Sequence, residues 1–496
     1  MQPVALAQPA GRSSHRAWLL VAVLVACGVL VGLLISGATI VALLVAAAPF
    51  LVFAVLYELE HAADANHPPV GLIALVLLLP FFQLALNTGS LQLAWQTCTL
   101  VVVLFYIVAM KPTERSAVVK SVVPLIVAFA ALSLTGAITL FITGALDAGA
   151  LLSAGVFGLS AAYLLVGSML RTWAGSAERA ARILIYGGLL QLPVVVAQAT
   201  GLTLGLGGTL SQLSSLQWGG SIAAASLVRY PGSFGDYELF AEWIGILFIL
   251  AVGGVMYTRG RTRSALAVSI AVFLCMGLLT ATRGFLVAVG LAAVVVVPGA
   301  LLSRRGRSLT GLLTTGVAVI AAFLLVPETA VKGSMGRLLQ TTLTGANAFN
   351  RAQLWTSWGR LVERMPWYGL GWGSPALESA LVAQAVGWPH SLYFYFALTA
   401  GWPGVVAIGV FVGMVVLSAR GRLAEGEAGV YRMLVLGVAV VYWASSEAKI
   451  EFVRWVFYGD LLLVLFGIVA ADRWLSRVPA NGCPVCEPAD RDGVRK

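Results

Sequence analysis

Three residues capable of chemistry lie where long apolar stretches of this chain begin or break. His390 directly precedes the apolar stretch 391–418, Arg229 precedes the stretch 237–257, and Arg283 lies in a tight break between two others. A neutral imidazole can accept the proton of an attacking alcohol, and a guanidinium fork matches the oxygens of a phosphate. The set suggests a base beside a phosphate-bearing substrate. The ordinary alternatives are a structural histidine and arginines that extend to lipid headgroups.

The composition places these residues in a membrane protein. Of the 496 residues, 59% are hydrophobic and 10% are charged, whereas soluble domains carry about 25% charged residues. This excludes a DNA-binding protein, a secreted disulfide scaffold and a cytosolic enzyme. A spanning helix needs about 20 apolar residues, so the sequence predicts an all-α, polytopic transmembrane bundle of about 12–14 spans. The expected spans are 18–36, 38–57, 70–87, 91–110, 118–143, 149–170, 181–200, 237–257, 264–281, 285–302, 310–326, 391–418, 431–448 and 455–471.

The cations between these stretches predict how the chain is threaded. Most of them fall in alternate loops, while the short connections near residues 37, 89 and 146 carry no Lys or Arg. By the positive-inside rule, we expect a multi-pass protein of the cytoplasmic membrane with both termini cytoplasmic. The net charge of +10 then reflects topology before it reflects an acidic partner. The cations expected inside include Arg12, Arg16, Lys111, Arg115, Lys120, Arg171, Arg179, Arg182, Arg259, Arg261, Arg263, Arg304, Arg305, Arg307, Arg420, Arg422, Arg432, Arg473 and Arg477.

Two long connections are then expected on the outer face, 201–236 and 327–390, and long connections are usually functional. In the second, Asn350 could cap a helix that Pro366 ends. Such a helix either lies in the headgroup plane or simply packs onto the membrane domain. Its apolar face would hold Leu354, Trp355, Trp358, Leu361 and Val362, with Arg351, Arg360, Glu363 and Arg364 elsewhere.

Signs of ion pumping, metal chemistry and nucleotide hydrolysis are scarce. The acid nearest to a span centre is Asp460, which we expect at a helix end near the interface. Outer-loop acids are scattered rather than paired, so no metal site is expected, and no phosphate-binding glycine loop of an NTPase occurs. Cys483 and Cys486 form a lone pair without the further ligands that zinc needs, in what we expect to be a disordered tail.

Three motifs follow one another between residues 229 and 404. The first is 229–234, Arg-Tyr-Pro-Gly-Ser-Phe, and the second is 280–284, Thr-Ala-Thr-Arg-Gly. The third comprises 350–355, the glycine- and tryptophan-rich 366–373, and the stretch 390–404 that begins His-Ser-Leu-Tyr. In order and outward placement they resemble the motifs of the O-antigen ligase and O-antigen polymerase superfamily. The resemblance covers residues 229–418, less than half of the chain.

The resemblance implies a glycosyltransferase of the type-C membrane fold. Its donor would be a polyprenyl-diphosphate-linked glycan, and its acceptor a hydroxyl on a glycan or a lipid-linked molecule, with no cofactor, metal or nucleic acid. His390 would deprotonate or orient the acceptor hydroxyl as it attacks the anomeric carbon. Arg229 and Arg283 would hold the departing pyrophosphate, with Arg351 as a third contact. Ser391 stands where the family usually has Asn, and Thr282 where Ser is common, which could alter the choice of acceptor.

Several functions and one division of the chain are compatible with these motifs. Ligase and polymerase activities share donor chemistry, so the sequence does not separate them. A transporter of an anion or polysaccharide and a non-catalytic assembly protein remain open, although scarce mid-span acids count against transport. The expected segments are an N-terminal cytoplasmic tail 1–17, transmembrane helices 18–228, the ligase-like region 229–418 with outer loop 327–390, transmembrane helices 419–471, and a cytoplasmic tail 472–496.

Overall fold

A computed structural model describes part of the chain. The described residues are 69–84, 89–144, 148–200, 230, 232, 237–280, 282, 284–286, 288–290, 293, 306–326, 328, 332, 356–357, 359–372, 392–419 and 460–476. The expected spans 18–36, 38–57 and 431–448, most of 285–302, and both terminal tails apart from 472–476 lie outside the described residues.

The described ranges form a bundle of helices and contain no strand. The expected all-α bundle is therefore confirmed, with six helical stretches in these ranges long and apolar enough to cross a membrane. In chain order the helices are α1 (Val70–Leu84), α2 (Gly89–Ala109), α3 (Pro112–Thr143), α4 (Ala148–Leu159), α5 (Ala162–Ala174), α6 (Ala177–Leu189), α7 (Leu192–Thr200), α8 (Tyr237–Tyr257), α9 (Gly260–Leu279), α10 (Gly306–Leu325), α11 (Leu392–Ala419) and α12 (Asp460–Leu475).

The helices pack as two groups joined by α6. Helices α3, α5, α11 and α12 form the first group, with α2 and α4 beside them, and α8, α9 and α10 form the second. Helix α6 contacts α5 and α12 on one side and α8 and α9 on the other. A single apolar core runs through both groups, so the regions on either side of residue 200 are parts of one packed body.

Helix α8 is the most enclosed helix of the second group. Nearly every residue between 238 and 256 is buried, because α6, α9 and α10 pack around this helix. Its bounds, Tyr237–Tyr257, match the span expected from the sequence. The first and second motifs lie beside the two helices that meet here, α8 and α9.

The tightest contact in the first group is the seam between α5 and α12. A side chain at Gly167 would overlap the carbonyl oxygen of Val464, and one at Gly467 would overlap that of Leu164. Small residues permit such close backbone approach between membrane helices. Ser160, just before α5, meets Asp460 at the start of α12, and Arg171 meets Asp472 near the other end, so α5 and α12 run in the same direction. Helix α12 continues to Leu475, past the expected tail boundary at 472.

Arginine side chains cap helix C-termini on what we expect to be the cytoplasmic side. The Arg115 guanidinium donates to the carbonyls of Val108 and Met110 at the end of α2, each at 3.2 Å. Arg263 Nε donates to the Thr258 carbonyl after α8 at 2.8 Å. Cations near helix C-termini satisfy the last carbonyls and the helix dipole. Cations assigned by the sequence to one side thus have a structural role there.

Three expected spans contain a break. The stretch 149–170 turns at Ser160 between α4 and α5, 181–200 turns at Gln191 between α6 and α7, and α11 turns at Gly401. Hydropathy records only the length of an apolar run, so it could not reveal these turns. Proline near the second break lacks an N–H, serine at the first offers its hydroxyl to the backbone, and glycine permits the third.

Candidate functional site

The first and second motifs meet through their backbones. The N–H of Tyr230 donates to the carbonyl of Leu279, the last residue of α9, at 3.3 Å. Gly232 packs against the ring of Phe240 on α8, so closely that a side chain at position 232 would overlap that ring. Arg229 and Arg283 themselves lie outside the described residues. The residue next to Arg229 and a residue four positions before Arg283 are nevertheless held together at one end of α8 and α9.

Two carboxylates lie at this same end: Glu238, which belongs to the outer acids expected to be scattered, and Glu242, which the sequence motifs did not include. Glu238 and Glu242 are half-buried in the first turns of α8, and their spacing of four places both on one face of the helix. Acids there also complement the positive end of the helix dipole. The four-residue spacing was the available signal, which a search for adjacent acids missed. Within the described ranges no group of three or more His, Cys, Asp or Glu occurs, so these two carboxylates are not part of a larger acidic cluster there.

The middle part of the third motif is anchored on helix α11. The N–H of Leu370 donates to the Leu398 carbonyl at 2.7 Å, and that of Gly371 to the Thr399 carbonyl at 2.8 Å. In return, the N–H of Trp402 donates to the Trp367 carbonyl at 2.9 Å. The broken helix therefore supplies both acceptors and a donor to the segment 366–372. We call this arrangement the loop anchor.

Glycines make the loop anchor possible. Gly401 has φ 61° and ψ −154°, a conformation that side chains rarely adopt. A side chain there would overlap the Trp367 carbonyl, and one at Gly369 (φ 82°) would approach the backbone N–H of Gly401 to 2.5 Å. The two glycines thus face one another at the contact. Glycine at these two positions is a backbone requirement of the motif.

Helix α3 forms the other wall of the anchored segment. The Thr139 hydroxyl donates to the Tyr368 carbonyl at 2.5 Å. The Trp372 ring is fully buried, stacked on Phe157 with ring centroids 4.8 Å apart, and lies where a side chain at Gly136 would sit. Trp367 and Trp402 remain 66% and 64% exposed, as aromatic side chains do at membrane interfaces. The segment is thus fixed on both sides near one expected surface of the bundle.

The helix expected within the outer loop is confirmed where it is described. Residues 359–364 are helical and the chain leaves the helix before Pro366. Leu361 and Val362 pack against the apolar core, whereas Arg360, Glu363 and Arg364 are exposed. This agrees with packing onto the membrane domain, one of the two expected placements. Asn350, Leu354, Trp355 and Trp358 lie outside the described residues.

The candidate site residues themselves are not placed by the structure. His390 and Arg351 lie outside the described residues, as do Arg229 and Arg283. Helix α11 begins two residues after His390 and packs on α3 and α12, whereas Arg229 and Arg283 adjoin α8 and α9. The described chain therefore brings the first motif to the second and joins two parts of the third. The meeting of these two sets stays a prediction.

Another polar cluster lies inside the first group of helices. Asp460, expected near the interface, is at the start of α12 but only 1% exposed. Its carboxyl group makes hydrogen bonds with Ser160 and Gln96, and Gln96 Nε2 donates to Ser160 Oγ at 2.6 Å. Three segments far apart in sequence meet here, at the break between α4 and α5. Its burial depends on these partners, which the position of Asp460 along its own span could not indicate.

In comparison with known proteins, no protein-family model matches the chain and no curated protein resembles it significantly in sequence. The resemblance to the O-antigen ligase and polymerase superfamily therefore rests on the short motifs alone.

Proposed function

We propose that this membrane protein is a glycosyltransferase that moves a glycan from a polyprenyl-diphosphate carrier to an acceptor hydroxyl at the outer face. The observation that carries the proposal is the backbone hydrogen bond between Tyr230 and Leu279. It draws together the chain beside Arg229 and Arg283, the two guanidinium groups assigned to one pyrophosphate. A lipid-linked donor also accounts for a helix bundle as the scaffold, because the polyprenyl tail must stay in the bilayer.

The proposed reaction needs one base and stabilisation of one leaving group. His390 accepts the hydroxyl proton while the acceptor oxygen forms a bond to the anomeric carbon. The bond from that carbon to the phosphate oxygen breaks, and the pyrophosphate leaves on its lipid. Arg229 and Arg283, with Arg351 as a third contact, offset the charge that develops on it. Guanidinium groups replace a divalent cation in this scheme.

The test uses purified full-length protein in liposomes with a polyprenyl-diphosphate-linked oligosaccharide and a hydroxyl acceptor. Released polyprenyl diphosphate and joined glycan are both measured. We expect His390→Ala to abolish transfer while the protein remains folded. His67→Ala should retain it, because residue 67 lies between the expected spans 38–57 and 70–87, on the side that we expect to be cytoplasmic. We expect Arg283→Lys to lower the rate, because lysine keeps the charge but loses the fork. Full activity of His390→Ala would eliminate the mechanism.

The loop anchor offers a second variant in the same assay. Gly401→Ala forces the anchor apart, so we expect it to reduce transfer strongly. Gly409→Ala, in the same helix, meets open space and should leave transfer unchanged.

Glycan lengths in cells lacking the protein then distinguish ligase activity from polymerase activity. Loss of long chains with single repeats retained indicates a polymerase, and intact chains left on the lipid indicate a ligase.

A transporter is the second candidate, favoured by the buried Asp460 and by the broken helices around it. Discontinuous helices and mid-membrane acids often form solute and ion sites in transporters. The discriminating measurement is movement of solute into vesicles by the purified protein without any polyprenyl donor. Such movement, together with no transfer in the assay above, would select the transporter.

A further inference from the structure

The cluster of Asp460, Gln96 and Ser160 has more oxygen lone pairs than hydrogen-bond donors. Gln96 Oε1 and Asp460 Oδ1 are both buried and have no hydrogen-bond partner, in side chains that are 0% and 1% exposed. Buried polar atoms are nearly always paired, and each exception calls for an explanation. Both atoms belong to groups that contact the same Ser160 hydroxyl. The two unpartnered oxygens thus belong to side chains that meet at one serine.

Among the described residues, no cation forms an ion pair with the carboxyl group of this cluster. Arg171 pairs with Asp472 and Lys332 with Glu328, and neither pair involves Asp460. A second polar tier lies one turn further along α2 and α5, where Thr99 Oγ1 and Tyr163 OH are 3.3 Å apart. The surroundings of Asp460 are otherwise apolar helices. A carboxylate in such a place is costly unless something pairs with it.

The donor set indicates what that partner is. A carboxylate, an amide carbonyl and a hydroxyl are hard oxygen ligands, which alkali and alkaline-earth cations prefer. With one carboxylate, the site neutralises one positive charge rather than two. The position of the cluster also fits, since it lies at a break between two helices, and ion sites in membrane proteins often form at such breaks. We propose that Asp460, Gln96 and Ser160 bind a single monovalent inorganic cation of the sodium class.

This site is separate from the proposed transfer reaction and can be tested without any glycan donor. Purified full-length protein in detergent is titrated with ²²Na⁺ against a choline chloride background at constant ionic strength. Thermal unfolding is followed in parallel, because a cation that binds the folded state raises Tm with its concentration. We expect one saturable Na⁺ per chain and a Tm that increases with Na⁺ but not with choline.

Three variants show whether these residues form the site. Asp460→Asn keeps the shape and removes the charge, so Na⁺ affinity should fall by about 100-fold or more. Gln96→Leu removes one carbonyl ligand and should lower affinity by about tenfold. Glu178→Gln removes a carboxylate from a half-buried position on α6 and should bind as the unaltered protein does. A monodisperse Asp460→Asn protein with unaltered Tm in choline chloride establishes that it folds.

The outcomes separate cleanly. Saturable Na⁺ binding that is lost in Asp460→Asn and kept in Glu178→Gln supports the site, including when K⁺ displaces the Na⁺. Equal binding by Asp460→Asn would overturn the proposal. So would a Tm that responds identically to NaCl and choline chloride, which would indicate that water or a proton satisfies these oxygens. Neither negative result bears on glycan transfer.

Discussion

Helix α12 carries a buried aspartate toward each end of its seam with α5, and the two carboxyl groups have opposite surroundings. Asp472 is paired with the Arg171 guanidinium, whereas Asp460 meets a hydroxyl and an amide. The two lie roughly 18 Å apart along one helix. Removing one partner of a buried ion pair strongly destabilises the folded protein. A buried acid without a counter-ion is instead typical of a functional position in membrane proteins. The same seam thus combines a structural end with a candidate site.

The largest loss of stability at this seam should come from Asp472→Ala. It leaves the Arg171 guanidinium buried without its partner, which should lower the free energy of unfolding by about 3 kcal/mol. Unfolding by SDS titration in mixed micelles measures this loss. The double variant Arg171→Met with Asp472→Leu should recover most of it, because neither buried charge then remains. A loss below the error of the titration would contradict the structural role.

The next largest effect should come from the seam between these two ends. Gly467→Ala places a methyl group on the Leu164 carbonyl, so the helices must separate at a cost of about 2 kcal/mol. Gly413→Ala in α11 meets open space and should be neutral or stabilising by up to about 1 kcal/mol. Equal behaviour of the two variants in the same SDS titration would refute the close approach.

Ser160→Ala, at the Asp460 end of the seam, should cause an intermediate loss of stability. The Ser160 hydroxyl donates to the Val156 carbonyl and accepts from Gln96, so its loss removes one hydrogen-bond partner of a buried amide at a cost of about 1.5 kcal/mol. Ser133 also donates to the carbonyl four residues earlier and provides the matched control. We expect Ser133→Ala to change the free energy of unfolding by less than about 0.5 kcal/mol. Similar losses for both would mean that the Gln96 contact contributes nothing.

The smallest effect on stability should come from Asp460→Asn in sodium-free choline buffer. The amide retains the shape and polar contacts of the carboxyl group while removing a buried charge, so the change should be under about 1 kcal/mol in either direction. The contrast with Asp472→Ala is the point of the measurement. A loss as large as that of Asp472→Ala would make both aspartates structural.

The helices were predictable because a bilayer fixes how long an apolar segment must be. That constraint gave α8 its bounds and α3 its end at Thr143. The turns at Ser160 and Gly401 were not predictable, since they depend on partners from distant segments. Likewise Trp372, within a glycine-rich turn, shows no sequence sign that Gly136 will make room for it.

The candidate site, like the fold, has parts that the sequence predicted and parts that it did not. Motif order predicted which segments matter, and the contacts of Tyr230 with Leu279 and of Trp367 with Trp402 join parts of those motifs. The shared helix face of Glu238 and Glu242 was missed although their spacing is a local signal, whereas the Asp460 cluster was missed because burial and partners are long-range properties. The positions of His390, Arg229, Arg283 and Arg351 remain predictions from the sequence.

Cross-linking between positions 390 and 283 tests most directly whether the three motifs share one outer cavity. His390→Cys and Arg283→Cys are combined in a chain whose five cysteines are replaced by serine, and a short bis-maleimide is added. Trp367→Cys with Trp402→Cys, adjacent and exposed in the structure, is the positive control. We predict that both pairs cross-link. No product between 390 and 283, while the control pair reacts, would contradict the account.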